Sequence, residues 1–358
     1  MAELARRKYL ERYAEPEARF ALQLHNRYHA ALILPAHREE PSFLDGVAAA
    51  AAAAAGRVLV IAVVNAAEDA PESSHTSNAL LLEALGQRLV PQQRLSPVEG
   101  SGARALLGRE RDFDLVVLDR ATPGRRLPVG EGVGLARRIA MDLALGLHQR
   151  GSIALPWLGS TDADAVLPQD YFATLSQVSL LAEDGTRRVA VTLPFWHVPG
   201  ADAAVDAATV LYEMSLRYYT LGLAAAGSAY AYESLGSALA VHADAYAEVR
   251  GFPRRAAGED FYLLDKLAKL GHVHRPAADP IQITSRASDR VPFGTGPGVR
   301  QITERGQQLE VYHPRTFELL GVALRALRSA VRSKGDEGIL PELTRVLDAD
   351  PEGGATDI

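Results

Sequence analysis

The sequence feature that most constrains the fold is a set of short, continuous apolar runs separated by longer stretches with helical periodicity. The runs occupy residues 31–35, 57–64, 114–119 and 152–157. Uninterrupted apolar runs of this length are typical of strands buried on both faces of a parallel sheet. The stretches between them predict helices at 42–55, with Gly56 as the C-cap, and around 77–88 and 132–148. This alternation predicts an α/β fold with a mostly parallel central sheet flanked by helices.

The remaining pattern predicts helical additions at both ends of the chain. Residues 2–29 are helix-forming with a break at Pro16, and an amphipathic helix is expected from Thr316 onward. A strand near 188–193, a loop containing Pro194 and Pro199, and a long helix at 202–225 lie between. The predicted parts are a helical extension (1–30), a first α/β half (31–165), a second half (166–305), a helical segment (306–348) and a disordered tail (349–358).

Composition disfavours several classes of function. The 38 basic and 44 acidic residues leave a formal net charge of −6, which offers no attraction to a nucleic-acid backbone. Because cysteine is absent, disulfides, thiolate metal sites and cysteine nucleophiles are excluded, and a metal would need oxygen or imidazole ligands. No signal peptide is recognised, and no run approaches the roughly 18 apolar residues of a membrane span. We expect a soluble, cytoplasmic protein whose last helix packs on the core, with peripheral membrane contact as the alternative.

Polar residues follow three of the predicted strands. They lie at 37–39 after the first strand, at 65–69 after the second and at 159–164 after the fourth. Open parallel sheets bind ligands at the carboxyl ends of their strands. Asp162 and Asp164 stand two apart in a turn, where both carboxylates can converge on one divalent cation that carries phosphate oxygens. A capping or turn role before the following helix is the alternative.

Three further segments combine glycine with charged residues. Glu259 and Asp260 follow Gly258 at the start of an amphipathic helix, where they either cap the helix or face a cleft as a general base. The glycine-rich stretch 130–138 carries Arg137 at a helix start, which suits a diphosphate. Arg286 and Arg290 precede a glycine-rich loop, which predicts either a phosphate contact or an ordinary solvated loop.

Taken in order, these segments resemble the family 2 glycosyltransferases of GT-A fold. The motifs that carry the resemblance are Ala31-Leu-Ile-Leu-Pro-x-x-x-Glu39, Gly132-x-Gly-x-Ala-Arg137, Thr161-Asp-Ala-Asp164, Gly251-Phe252 and Gly258-Glu-Asp260. The resemblance covers about residues 31–275. It implies a nucleotide-diphospho-sugar transferase fold, with a nucleotide-sugar-binding half at 31–165 and an acceptor-binding, catalytic half at 166–305.

The resemblance also implies roles for individual residues. Asp162 and Asp164 would bind Mg²⁺ or Mn²⁺ together with the nucleotide, and Asp260 would be the catalytic base, with Glu259 beside it. The residues expected to contact the nucleotide are Pro35, Ala36, His37, Glu39, Asn65 and Asp69. The residues expected near the donor diphosphate are Gly132, Arg137, Arg286 and Arg290.

The chain departs from the family pattern at several points. Arg38 stands where the family has Asn, and 64–67 replaces the usual Asp-Asp-x-Ser after the second strand. An extra segment at about 79–128 separates the second strand from the glycine-rich helix. No Gln-x-x-Arg-Trp motif follows Asp260, which disfavours a processive polysaccharide synthase.

These patterns predict a metal-dependent, inverting glycosyltransferase. It would move a sugar from a nucleoside-diphosphate sugar to a hydroxyl of a saccharide, lipid or small molecule. One alternative is a sugar-phosphate nucleotidyltransferase, although 35–41 lacks the glycine-rich loop that such an enzyme carries after its first strand. The other is a non-catalytic nucleotide-sugar-binding protein of the same fold.

Some histidines and tyrosines have two interpretations. His274 is expected to pack within a strand, with a role as third metal ligand as the weaker alternative. Tyr212, Tyr218 and Tyr219 stand in the predicted helix at 202–225, where core packing is the default and an acceptor cleft is the alternative.

Overall fold

The structure is a computed structural model that describes residues 2–286, 294–306 and 308–333, together with Pro341. The described residues do not include Arg290. They also leave out most of the predicted helical segment 306–348 beyond residue 333, and the predicted tail at 349–358. What the sequence predicts for them stays a prediction.

The described residues form twelve β-strands in two sheets. The strands are β1 (Ala30–Ala36), β2 (Val58–Asn65), β3 (Val90–Arg94), β4 (Arg104–Arg109), β5 (Phe113–Arg120), β6 (Trp157–Ser160), β7 (Ala165–Val166), β8 (Arg188–Thr192), β9 (Phe195–Val198), β10 (Leu239–His242), β11 (His272–His274) and β12 (Ile281–Thr284). The larger sheet has the order β11-β8-β10-β6-β1-β2-β5-β4-β3, and the smaller sheet has the order β7-β12-β9.

Ten α-helices and three short 3-10 helices complete the described fold. The α-helices are α1 (Ala2–Arg12), α2 (Asp45–Ala53), α3 (Glu72–Arg88), α4 (Val133–Gln149), α5 (Tyr171–Gln177), α6 (Ala203–Ala225), α7 (Ala243–Glu248), α8 (Glu259–Ala268), α9 (Thr295–Glu304) and α10 (Pro314–Ser333). The 3-10 helices are Pro16–Gln23, Pro41–Leu44 and Gly236–Ala238. Within the described ranges, no helix combines the length and the apolar character needed to cross a membrane.

The predicted α/β fold with a large sheet flanked by helices is confirmed, but the sheet is mixed. Parallel pairing joins β6, β1, β2 and β5 in the centre and β8 with β11 at one edge. β10 runs antiparallel to β6 and β8, and β3 and β4 add antiparallel strands beside β5. The prediction of a mostly parallel sheet therefore holds for the centre and for the β8–β11 edge, and is wrong for the pairs made by β10, β4 and β3. Only residues 110–112 connect β4 to β5, too few for the crossover that parallel pairing requires.

Three local predictions are also corrected. α2 ends at Ala53, and its C-cap is the extended Ala54 rather than Gly56. Of the run 152–157 only Trp157 belongs to strand β6, although Ile153 forms an isolated parallel bridge with Tyr28. The segment between Pro194 and Pro199 is not a loop but strand β9, which pairs in parallel with β12.

The apolar runs of β1 and β2 bury both faces of the larger sheet. Ile33 and Ile61 face one side, where they join the core that includes α4. Leu34 and Val60 face the other side, where the core includes α2 and α3. Burying one such side chain stabilises the fold by roughly 1.5–3 kcal/mol. Apart from Asn65 at the end of β2, these strands lack polar residues because neither face is exposed to solvent.

The predicted N-terminal addition consists of α1 and the first 3-10 helix, and a buried carboxylate ties it to the core. Tyr9 of α1 and Tyr246 of α7 donate hydrogen bonds to Oδ1 of Asp142 in α4, at 2.7 and 2.8 Å. The backbone N–H of Glu15 donates to Oδ2 at 2.8 Å. Burial raises the pKa of Asp142 to about 7, against the opposing charge of Arg138.

Candidate active site

A cleft of about 1440 Å³ opens where β1, β2 and β6 end, and its other walls include the starts of α4 and α8 and one side of α6. Thirteen of the residues assigned a site role from the sequence lie within the described ranges, and all except Ala36 line this cleft. They are Pro35, His37, Glu39, Asn65, Asp69, Gly132, Arg137, Asp162, Asp164, Glu259, Asp260 and Arg286. Ala36 is buried within β1.

Hydrogen bonds between polar residues shape the wall at the ends of β1 and β2. Nδ1 of His37 lies 2.8 Å from the carbonyl oxygen of Asn65, whose side-chain amide donates to the carbonyl oxygen of Ala36 at 3.2 Å. Asn78 donates to the Asn65 carbonyl and accepts from the backbone N–H of Arg38, both at 2.8 Å. Arg38 has a φ of 57°, which a residue other than glycine rarely adopts. The Asn78 side chain therefore helps hold this loop in an unusual conformation at the cleft edge.

β6 leads directly into the Asp-x-Asp turn, where each aspartate faces an arginine. Asp162 lies 2.5 Å from Nη2 of Arg137, and Asp164 lies 2.7 Å from Nη2 of Arg286. Arg286 also lies 3.2 Å from Glu39 at the end of the first polar segment. Burial would lower the pKa of Arg286, but the charges of Asp164 and Glu39 outweigh it and raise the pKa. The two aspartates thus form ion pairs at the cleft surface.

The donor set of this turn fits one kind of metal site. Asp162 and Asp164 offer the hard carboxylate oxygens that Mg²⁺ and Mn²⁺ bind. In the part of the chain that the structure describes, no three His, Asp or Glu side chains are grouped closely enough to hold a metal ion by themselves. Mg²⁺ commonly takes one or two protein carboxylates and completes its shell with water and substrate phosphates. The two aspartates therefore fit a cation that shares its ligands with a phosphate, not an all-protein cage.

Arg137 is the centre of a buried polar network beneath the cleft. Its side chain is 3% exposed, and it donates to Oε1 of Glu259 and to Oγ of Ser160, both at 2.7 Å. Burial would lower the pKa of Arg137, but the charges of Asp162, Glu259 and Asp260 outweigh it and raise the pKa. The guanidinium therefore joins α4 to the Asp-x-Asp turn and to the start of α8. The contacts of Arg137 support a role in holding these carboxylates in place.

The two carboxylates at the start of α8 differ in their surroundings. Gly258 precedes them with a φ of 70°, in the left-handed region that favours glycine. Glu259 is buried and bound to Arg137. Asp260 accepts a 2.7 Å hydrogen bond from the N–H of Phe261, and burial and the charge of Glu259 raise its pKa to about 7. A carboxylate with a pKa near neutrality is suited to proton transfer at neutral pH, so Asp260 is the candidate base.

Glycines at the start of α4 allow a close backbone approach within the protein. A Cβ on Gly134 would lie 2.6 Å from the carbonyl oxygens of Pro253 and Arg255, and the N–H of Gly134 donates to Arg255 at 3.1 Å. A Cβ on Gly132 would lie 3.3 Å from Cα of Ala256. These glycines therefore let α4 pack against the segment that leads into α8.

The second half contributes an oriented histidine for which the sequence indicates no partner. His197 of β9 lines the cleft, and its Nδ1 lies 2.9 Å from Oε2 of Glu213 in α6. The same oxygen accepts the backbone N–H of His197 at 2.8 Å, and Arg217 donates to the other oxygen at 2.8 Å. The i,i+4 spacing of Glu213 and Arg217 is visible in the sequence, but their contact with His197 depends on the position of β9.

Of the remaining candidate tyrosines and histidines, some line the cleft and others lie elsewhere. Tyr212 and Tyr219 line the cleft. Tyr218 and Tyr219 both pack edge-on against Phe317 of α10, with ring centroids 5.7 and 6.0 Å apart. His274 ends β11 and lines a separate cavity.

Comparison of the chain with protein-family models and with curated proteins finds no match.

Proposed function

We propose that the protein is an inverting glycosyltransferase that moves a sugar from a nucleoside-diphosphate sugar to an acceptor hydroxyl. The observation that carries this proposal is the meeting of Asp162, Asp164 and Asp260 in one cleft with Arg286. Two carboxylates able to share a cation and a third whose pKa is raised to about 7 are the groups that displacement of a diphosphate requires. The sequence resemblance to family 2 glycosyltransferases supports the same assignment.

Asp164 and Asp162 are the residues that would hold Mg²⁺ or Mn²⁺. When bound, the cation would neutralise charge on the leaving diphosphate. Arg286 is 32% exposed and lies against Asp164. We infer that the donor phosphates draw the guanidinium of Arg286 away from Asp164, because a phosphate can accept two parallel hydrogen bonds from arginine. That exchange would remove the positive charge of Arg286 from beside the Asp164 carboxylate, which favours a cation there.

Asp260 is the proposed general base. The acceptor oxygen forms a bond to the anomeric carbon while the bond from that carbon to the diphosphate oxygen breaks. The hydroxyl proton passes to the Asp260 carboxylate, and the nucleoside diphosphate leaves with the electron pair of the broken bond. A single displacement from the face opposite the leaving group inverts the anomeric configuration.

The GT-A fold, the division into donor and acceptor halves, and a cytoplasmic location belong to the same proposal. The α/β architecture with helices on a mixed sheet is compatible with that fold. Tyr212 and Tyr219, which line the part of the cleft formed by α6, are the side chains we assign to the acceptor.

The test is release of nucleoside diphosphate from a panel of nucleotide sugars, with Mn²⁺, with Mg²⁺ and with a chelator. We expect release that requires the cation and is lost in Asp164→Asn. Asp112→Asn makes the same chemical change at a residue that does not line the cleft, and it should retain activity. Pyrophosphate release from a nucleoside triphosphate and a sugar phosphate would instead identify the nucleotidyltransferase, and donor binding without turnover would identify the non-catalytic alternative.

A further inference from the structure

A second cavity, of about 460 Å³, lies away from the cleft, and none of the described residues lines both. Its walls are the end of α5, the following segment to Glu183, the start of β8, the end of β11 and residues 275–277. The polar and charged lining residues are Thr174, Gln177, Ser179, Glu183, Arg188, His274 and Arg275. A volume in this range suits a small ligand, since small-molecule sites occupy roughly 300–1,000 Å³.

Basic groups dominate this cavity. Arg188 and Arg275 line it together with His274, and the one acid among its lining residues, Glu183, is solvent-exposed. Nη1 of Arg188 donates to the hydroxyl oxygen of Ser179 at 2.8 Å and to the carbonyl oxygens of Ser179 and Leu181 at 3.1 and 3.0 Å. Nε of Arg188, by contrast, is buried and has no hydrogen-bond partner among the described residues. Because this Nε is shielded from solvent, an anion in the cavity would compensate the charge of the guanidinium rather than bond to Nε itself.

The local electrostatic field also favours a negatively charged ligand in this cavity. Burial and the positive charge of Arg188 lower the pKa of His274. A negatively charged ligand would relieve this field. His274 offers ring nitrogens at the same cavity, whereas the hydroxyl of Ser179 is already bonded to Leu181 and Arg188.

We propose that this cavity binds a phosphate-class oxyanion, with Arg188 on one side and Arg275 on the other. Arginine is suited to this role because its planar guanidinium presents paired N–H donors to phosphate oxygens. The cavity is larger than a lone phosphate needs, so the ligand is either free phosphate or the phosphate group of a small metabolite. The proposal does not depend on the reaction assigned to the cleft.

Arg275 connects this cavity to the cleft. Its Nη1 lies 3.0 Å from Oε1 of Glu233, a buried residue that lines the cleft. Arg217 contacts the same carboxylate oxygen at 3.5 Å. An oxyanion at the cavity would compete with Glu233 for Arg275, so occupancy of the cavity would change the electrostatic surroundings of the cleft. By linkage, cleft ligands would change the affinity of the cavity by the same factor.

Titration calorimetry with inorganic phosphate and with glycerol 3-phosphate, at constant ionic strength, tests the proposal. Arg275→Gln should weaken binding about tenfold or more, because it removes charge-assisted hydrogen bonds. Arg187→Gln is the matched control, since Arg187 pairs with Glu248 and does not line the cavity. Arg188→Gln should also weaken binding. Arg188 holds the loop by its contacts with Ser179 and Leu181, so this variant could unfold; in that event Arg275→Gln remains the test.

The cleft also contains arginines, so the position of the ion must be measured. Binding in the cavity should survive Arg286→Gln, and crystals soaked in selenate should show anomalous density between Arg188 and Arg275. Tighter binding of glycerol 3-phosphate than of phosphate would identify a phosphate monoester as the ligand, and the reverse would identify free phosphate. The proposal is overturned if binding is lost in Arg286→Gln but kept in Arg275→Gln, or if no saturable binding occurs below about 10 mM.

Discussion

The Nε of Arg137 in α4 lies 2.7 Å from Oε1 of Glu259 at the start of α8. The two side chains are 3% and 5% exposed, so each charge is compensated by the other in a region that water hardly reaches. The opposite end of the same guanidinium contacts Asp162. This ion pair therefore sets the position of the Asp-x-Asp turn relative to the helix that carries Asp260.

We expect Arg137→Met to lower the free energy of unfolding by about 3–5 kcal/mol, because it leaves Glu259 buried without its partner. Urea unfolding followed by circular dichroism measures this loss. Arg254→Met is the control: Arg254 is 47% exposed and pairs with Glu131 at 3.1 Å. Its removal should cost at most about 1 kcal/mol, as is usual for exposed ion pairs. Equal losses in the two variants would contradict the role assigned to the buried pair.

Asp260→Asn should lower kcat by about 10²–10⁴-fold, the usual contribution of a general base. The Kd for the donor should stay close to that of the parent, because the base acts on the acceptor proton in the transition state. Steady-state kinetics and donor calorimetry together check this separation. Asn caps a helix about as well as Asp, so near-full activity in the variant would show that Asp260 only caps α8.

The pH profile should report the raised pKa of Asp260, which is about 7. A general base acts in its deprotonated form, so kcat/KM should fall about tenfold per pH unit as the pH drops below that value. Glu259→Gln removes the neighbouring negative charge that helps raise this pKa, and should shift the acid limb to lower pH. An acid limb that does not move in Glu259→Gln would argue that another group controls the profile.

Asp142 should make the free energy of unfolding decrease as the pH rises toward neutrality. Its pKa is raised in the folded protein from the ordinary 3.8 to about 7, so folding favours the protonated form. The corresponding stabilisation is complete below about pH 4 and is lost as the pH rises through about 7. Asp142→Asn cannot titrate and should lack this part of the slope in urea unfolding between those values. Asp112→Asn should keep the slope, and an unchanged slope in Asp142→Asn would contradict the assignment.

The sequence by itself determined the centre of the fold and much of the candidate site. β1, β2 and β5 were predictable because a strand with no solvent-exposed face needs a core of consecutive apolar residues, which is a local property. The helices α3 and α4 were predictable from periodicity between those strands. Since parallel strands end at one edge of a sheet, the polar residues after β1, β2 and β6 could be expected to meet there.

Only the tertiary structure decided the outer strands. β10 contributes four residues and pairs antiparallel with β6, far away in the chain. β9 lies between two prolines and pairs with β12. Short strands of this kind have weak local patterns, and their pairing is determined by packing against distant elements.

Only the tertiary structure decided the partners of the charged residues. Arg137 meets Glu259 across 122 positions, and Arg286 meets Glu39 across 247 positions. The 38 basic and 44 acidic residues of the chain allow many possible pairs, and local periodicity does not choose among them. The ion pairs that form are determined by distance and burial in the folded protein. A charge that loses contact with water must be compensated by the groups that folding places beside it.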